Sequence, residues 1–229
     1  MAVYTIADLH LSFGTDKPMD VFPGWTNYTE RIEKNWQKLV TDEDTVVISG
    51  DISWAMDLTE TYNDFDFINR LNGKKILLKG NHDYWWTTKS KMDRYLKDSG
   101  FDSMSILHNN YYVADGLALC GSRGWFYDAE TDADMKVLNR EVGRLRMSIE
   151  PAVKAGYEPI VFLHYPPIYN NTECAEIMDV LRQYNIKKCF YGHIHGGIAA
   201  KRAFIGERDG ISFRLIACDH LGFTPLAVL

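Results

Sequence analysis

Lys75-Ile76-Leu77-Leu78-Lys79-Gly80-Asn81-His82-Asp83 decides the reading of this chain: an apolar run short enough for one strand ends on residues able to bind metal or move protons. The same grammar recurs four times. Asp8-Leu9-His10 follows the apolar run 3–7, Gly50-Asp51 follows 45–49, His164 follows 160–163, and Gly192-His193-Ile194-His195 follows 188–191. Of the seven histidines, five fall in these positions, a concentration that ordinary scattered polar residues do not produce. Carboxylates, imidazoles and one amide delivered to strand ends suit divalent first-row metals held by mixed oxygen and nitrogen ligands.

Around these runs the pattern alternates between strand and helix. Helices are expected over 28–40, with Ile32, Trp36, Leu39 and Val40 inward, and over 58–71, with Tyr62, Phe65, Ile68 and Leu71 on one side. Others are expected over 87–96, 132–154 and 173–183. Asp115-Gly116, between the runs 111–114 and 117–120, is a hairpin signal, and Arg208-Asp209-Gly210, bracketed by 203–205 and 211–216, is a second. A short apolar segment, 226–229, closes the chain. Strand pairs early and late, with helices between them, predict an α/β (α+β) fold of two packed sheets flanked by helices. No linker and no internal repeat interrupts the pattern, so residues 1–229 are expected to form one domain.

Composition is that of an ordinary globular chain, 46% hydrophobic and 24% charged. A formal charge of −6 and the lack of any Lys/Arg run argue against a nucleic-acid partner bound through a broad basic face. A metal-centred anion site is compatible with that charge, because a bound cation dominates the field in its own cleft. Four cysteines, widely spaced and without a C-x-x-C pair, read as buried free thiols. The first strand pattern begins at residue 3, so no leader is expected, and no apolar run reaches the roughly 18 residues of a membrane span. The cytoplasm is the expected compartment. Nothing here sets the oligomeric state.

Two-residue spacing in Asp8-x-His10 and His193-x-His195 lets each pair converge on one ion just past a strand end. Asp51 can bridge two ions through its two oxygens, Asn81 offers a neutral oxygen and His164 a nitrogen. Two divalent ions facing only Asp8 and Asp51 keep the centre positive, which suits a phosphorylated substrate and acidifies bound water. The donor set fits two divalent ions from among Mn, Fe, Zn and Co, and the chemistry reads as hydrolysis.

The ordered pattern D-x-H, G-D, G-N-H-D, H, G-H-x-H over residues 8–195 resembles the calcineurin-like metallophosphoesterase superfamily. The resemblance implies a four-layer α/β/β/α sandwich with the site at the strand ends. It implies that Asp8, His10, Asp51 and His195 hold the first metal, and that Asp51, Asn81, His164 and His193 hold the second. It further implies in-line attack of metal-bound hydroxide on a phosphomonoester or phosphodiester, with His82 as general acid and Asp83 orienting it.

The second motif departs from the Ser/Thr protein phosphatases, whose G-D-x-x-D-R here reads Gly50-Asp51-Ile52-Ser53-Trp54-Ala55. The lipid A-precursor pyrophosphatases carry Arg in place of His82. The resemblance is therefore to the superfamily. Besides Asn81, the candidate for gripping substrate phosphate is Arg123, in Gly121-Ser122-Arg123-Gly124-Trp125, where glycines permit close approach; the alternative is a surface arginine in a turn. Trp54, Tyr84, Trp85, Trp86 and Trp125 stand beside motifs as pocket rim or as packing. A TIM-barrel amide or ester hydrolase is excluded, because such enzymes open with H-x-H and this chain is short for a barrel with loops. A catalytically silent metal-binding scaffold of the same fold, used for protein interaction, is the remaining alternative.

Overall fold

Every position of β2, Thr45–Ser49, is buried, and the chain manages this by burying the strand on both faces. In this computed structural model, which describes residues 1–125 and 131–229, Val46 and Ile48 point into a core beneath helices while Val47 points into a core between two sheets. The period-2 alternation of a strand therefore feeds two different cores, so an uninterrupted apolar run is required. Residues of β7 (Glu158–Leu163) behave alike: Ile160 and Phe162 face the inter-sheet core, Val161 and Leu163 the opposite one.

The first sheet has the order β13-β1-β2-β3-β4, from β1 (Val3–Ile6), β2, β3 (Lys74–Leu78), β4 (Met104–Ile106) and β13 (Leu226–Ala227). Strands β1 to β4 run parallel, with Ile6 opposite Ile48 and Ser49 opposite Leu78, and β13 pairs antiparallel to β1. Order in the second sheet is β11-β12-β10-β7-β6-β5. Its members are β5 (Tyr112–Ala114), β6 (Leu117–Ser122), β7, β10 (Lys188–Tyr191), β11 (Gly206–Arg208) and β12 (Ile211–Leu215). The inner four are parallel, and β5 and β11 are antiparallel edges. Parallel strands end on one edge, so each sheet gathers its post-strand residues there.

Helices α1 (Tyr28–Leu39), α2 (Tyr62–Arg70) and α3 (Lys89–Asp98) cover the first sheet through Ile32, Trp36, Phe65, Ile68, Met92 and Leu96. Helices α4 (Asp132–Lys154) and α5 (Ala175–Gln183) cover the second through Leu138, Leu145, Ile149, Ile177 and Leu181. The expected α/β/β/α layering is thus observed. The sheets join at the end of β1, where the Ala7 N–H donates to Ile216 O and the Cys218 N–H donates to Ala7 O. All four cysteines are free and buried. Among the described residues, no helix is long and apolar enough to cross a membrane.

Several boundaries differ from expectation. Leu39 is exposed and does not belong to the inward stripe of α1. Helix α2 starts at Tyr62, not near residue 58, because the Asp57 carboxylate accepts from the Thr59 and Glu60 N–H groups and caps a turn there. The edge strand before the second hairpin is Gly206–Arg208, not 203–205. Asp209 and Gly210 alone form the turn, both with positive φ, which fixes Arg208 opposite Ile211. Residues 172–173, the second of them expected to open a helix, instead form β9 (Thr172–Glu173), paired with β8 (Ile168–Tyr169) through an Asn170-Asn171 turn with two positive φ angles. A short helix, α6 (Gly197–Ala200), follows directly on His195.

Candidate metal centre

Asp8, His10, Asp51 and His193 all have positive φ, between 46° and 70°. Non-glycine residues enter this region at a cost, and Asp and His are among those that tolerate it best. The strained backbone bends the chain sharply as it leaves β1, β2 and β10 and turns the side chains inward. Two motif glycines are explained by close approach. A Cβ on Gly80 would run into the Asp51 carboxylate and backbone N, and one on Gly192 would run into the Asp8 carboxylate and the Ala7 side chain.

The side chains converge in two groups, Asp8 with His10 and His195, and Asp51 with His164 and His193; within each, the candidate ligand atoms lie within 4.8 Å of one another. His10 Nε2 stands 3.1 Å from His195 Nε2, and His195 Nε2 stands 3.4 Å from Asp8 Oδ1. Asp51 Oδ2 links the groups, 3.8 Å from His10 Nε2 and 3.5 Å from His164 Nε2. Asn81 Oδ1 lies 2.7 Å from His164 Nε2. All seven expected ligands are therefore brought together.

The donor set fits cations on electrostatic grounds. His164 Nδ1 faces Ser49 O at 3.1 Å and must carry the proton, so Nε2 presents a lone pair to the Asn81 oxygen. His195 Nδ1 donates to Asp219 Oδ1 at 3.1 Å, which aims its Nε2 at Asp8 and His10. Burial lowers the pKa of His164 and His193 to about 3 and holds His10 well below its usual range, so these rings are neutral, as ligands must be. Burial and the neighbouring Asp8 push the Asp51 carboxyl up to about 9. Burial would lower His195, but the Asp8 and Asp219 carboxylates override it and raise the ring to about 10, so with no ion bound a proton on Nε2 takes the place beside Asp8 that a cation would fill. Converging lone pairs and two buried carboxylates demand positive charge, and divalent ions meet that demand.

Asp219 lies outside the motifs that the sequence singles out. It fixes the His195 ring and also accepts from the Gly196 N–H at 2.8 Å. A signal for it exists all the same: like the motif residues, it sits just past an apolar strand pattern, here β12. Tyr28 adds a further support, its hydroxyl donating to His10 O at 3.0 Å.

Two expectations need correction. Asp83 does not orient His82. Its carboxylate accepts from the N–H groups of Gly80 (2.7 Å), Asp51 (3.0 Å) and Ile52 (2.9 Å) and from Trp85 Nε1 (3.0 Å), tying the second and third motif loops together. The His82 ring instead has the Tyr84 hydroxyl 3.4 Å from Nδ1. Arg123 does not line the cleft of His10, His82 and His195. Its guanidinium lies 3.5 Å from Glu141 and over the Trp125 ring, because Glu141 is fully buried on α4 and draws both Arg123 and Arg144. Arg123 serves the site through its carbonyl, which accepts from the His164 and Tyr165 N–H groups.

His82 is half-buried at the mouth of the centre, its ring 5.9 Å from that of His10 and 4.5 Å from that of Trp54. Trp54 stacks on His10 at 4.9 Å and so belongs to the rim, whereas Trp85 is buried against Phe65. Trp25, in the loop after β1, packs edge-on against His10 and His195.

No curated protein matches the chain by sequence. Among solved structures it is similar to a protein of unknown function, AQ665 from Aquifex aeolicus, with TM-score 0.54 and 18% identity over 99% of this chain and 95% of that one. It is also similar to the phosphopantetheinyl hydrolase of Mycobacterium tuberculosis, with TM-score 0.57 and 15% identity over 100% and 95% of the two chains. TT1561 of Thermus thermophilus gives TM-score 0.57 and 12% identity over 84% and 81%. At these identities the likeness concerns the fold alone. The family model for calcineurin-like phosphoesterases matches residues 1–197, which contain all five motifs. With that match, and with candidate ligands from four of those motifs gathered into two groups at the ends of both sheets, this chain belongs to the calcineurin-like phosphoesterase family.

Proposed function

We propose that the chain is a binuclear metal-dependent phosphoesterase that hydrolyses a phosphomonoester or phosphodiester. The observation that carries this reading is the pair of ligand groups joined by Asp51, with His82 at their open side. Asp8, His10, Asp51 and His195 would hold one divalent ion and Asp51, Asn81, His164 and His193 the other, and the pair would supply Lewis-acid activation of water and neutralise phosphate charge.

The remaining work falls to the chain's own groups. His82 Nδ1 is engaged by Tyr84, so Nε2 is the atom that passes a proton to the leaving oxygen. Asp219 and Ser49 fix the tautomers of His195 and His164, so both present Nε2 inward. Asp83 keeps the Asp51 and Gly80 turns in register. Trp54 and Trp25 pack on His10 and exclude water from that flank.

The test is hydrolysis of p-nitrophenyl phosphate and bis-p-nitrophenyl phosphate by metal-stripped protein before and after addition of Mn²⁺. Turnover that appears with the metal supports the reading, and the preferred substrate separates monoesterase from diesterase. Two bound metals per chain with no turnover of either compound would overturn it in favour of a silent scaffold.

A further inference from the structure

A cleft of about 720 Å³ opens from the metal centre, and its wall is apolar beyond anything that a phosphate group requires. His10, His82 and His195 form its floor; Phe22, Trp25, Trp54, Tyr169 and Ile198 supply most of its side walls. Ligand pockets for organic molecules run from roughly 300 to 1,000 Å³, so this one matches a whole organic group in size. Ile198 is 80% exposed and Phe22 52% exposed, yet both face this one depression. Large apolar side chains clustered around a concave site, not scattered singly, mark a binding surface.

The wall is built out of the ligand motifs. Trp54 lies three residues past Asp51 and stacks on His10, and Ile198 lies three residues past His195, in α6. A substrate whose phosphorus sits at the ligands therefore places its organic part against these residues. No acidic side chain lines the cleft among the described residues, and Arg202 is its permanently charged member, so an anionic ester meets no repulsion on entry.

We infer that the natural substrate is a phosphoester whose organic part is bulky, apolar and ring-bearing, held against Phe22 and Ile198, in place of a small polar alcohol or an unsubstituted sugar. This rests on the phosphoesterase reading above and narrows it to a substrate class.

The test compares propyl phosphate with 3-(2-naphthyl)propyl phosphate, whose alcohols are equally poor leaving groups and differ only in apolar bulk. Mn²⁺-loaded protein should favour the naphthyl ester at least about tenfold in kcat/KM, as expected for burying one ring system. In a Phe22→Ser/Ile198→Ser double variant that advantage should fall below about threefold. Equal kcat/KM values in the wild type, or an advantage that persists in the variant, would overturn the inference. Calorimetric binding of the corresponding non-hydrolysable phosphonates is the second readout. Should neither ester, nor p-nitrophenyl phosphate, nor bis-p-nitrophenyl phosphate be hydrolysed, the phosphoesterase reading fails, and the phosphonates still decide the cleft: tighter naphthyl binding that the variant loses supports it, and equal binding overturns it.

Discussion

Five N–H donors, from Gly80, Asp51, Ile52, Ser53 and the Trp85 indole, converge on the Asp83 carboxylate, which is fully buried between the second and third motifs. An amide in its place keeps one acceptor oxygen and turns an NH2 group toward donors. Each buried donor left unpaired costs about 1–3 kcal/mol. Asp83→Asn should therefore destabilise the fold by about 3–5 kcal/mol in a denaturant melt and scatter the ligands. A melt that is unchanged while turnover falls would return Asp83 to a catalytic role. His82 behaves oppositely. His82→Ala should retain both metals by elemental analysis and lower turnover of an alkyl phosphate by roughly 10²–10⁴-fold; loss of metal instead would mean that His82 is a ligand. Asp219→Asn should weaken the ion at His195 by about 10–100-fold, the usual effect of losing the group that orients a metal-bound imidazole. Metal titration that leaves the two ions equally tight would count against this.

At the level of elements, strand-end motifs are readable because a parallel strand buried on both faces is a short apolar run that stops abruptly, as β2 and β10 do at their expected limits. Helix α4 also begins and ends where its pattern predicts, its start marked by the Thr131–Asp134 capping box. Unreadable elements are those made by non-local pairing. β4 has three residues and exists because Leu77 pairs with Ile106, and β8 and β9 have two residues each around a turn of two asparagines. Likewise, Phe22, Trp25 and Ile198 come from segments with no strand or helix periodicity of their own, so their meeting at one cleft is invisible in the sequence. Lys75 gives a further case: it begins an expected strand, where a lysine ordinarily reaches water, yet it is 1% exposed. Its ammonium donates to the Asn69 and Leu71 carbonyls at the end of α2, and burial lowers its pKa to about 8 from 10.5. The unfolded chain thus binds more protons than the folded one between about pH 8 and 10.5, so stability rises with pH in that window. Relative to Lys75→Met, the wild type should gain up to about 3 kcal/mol from about pH 7.5 to 10.5, read from melts of both proteins. A flat difference would mean that Lys75 keeps its charge in the fold.

Across the whole molecule, the two sheets contribute unequally to one centre. Asp8, His10, Asp51 and Asn81 follow strands of the first sheet, while His164, His193 and His195 follow strands of the second. Direct backbone contact between the sheets at this edge is narrow, centred on Ala7 and its neighbours Ile216, Ala217 and Cys218. Ions held by ligands from both sides would therefore act as a clasp between layers, and without them burial and the facing Asp8 carboxylate raise the cost of ionising Asp51. Ions present at about 100 times their dissociation constant would stabilise the fold by about 2.7 kcal/mol per site. In a chain of this length each kcal/mol moves Tm by about 2–4 °C. Chelation, which removes both ions, should then lower Tm by about 10–20 °C, with recovery on addition of Mn²⁺. Amide exchange should quicken at the C-terminal ends of β1, β2, β7 and β10 in both sheets, while the opposite strand ends stay protected. Faster exchange confined to one sheet would show that the ions are held within a single layer, and an unchanged Tm would show that the centre closes without them.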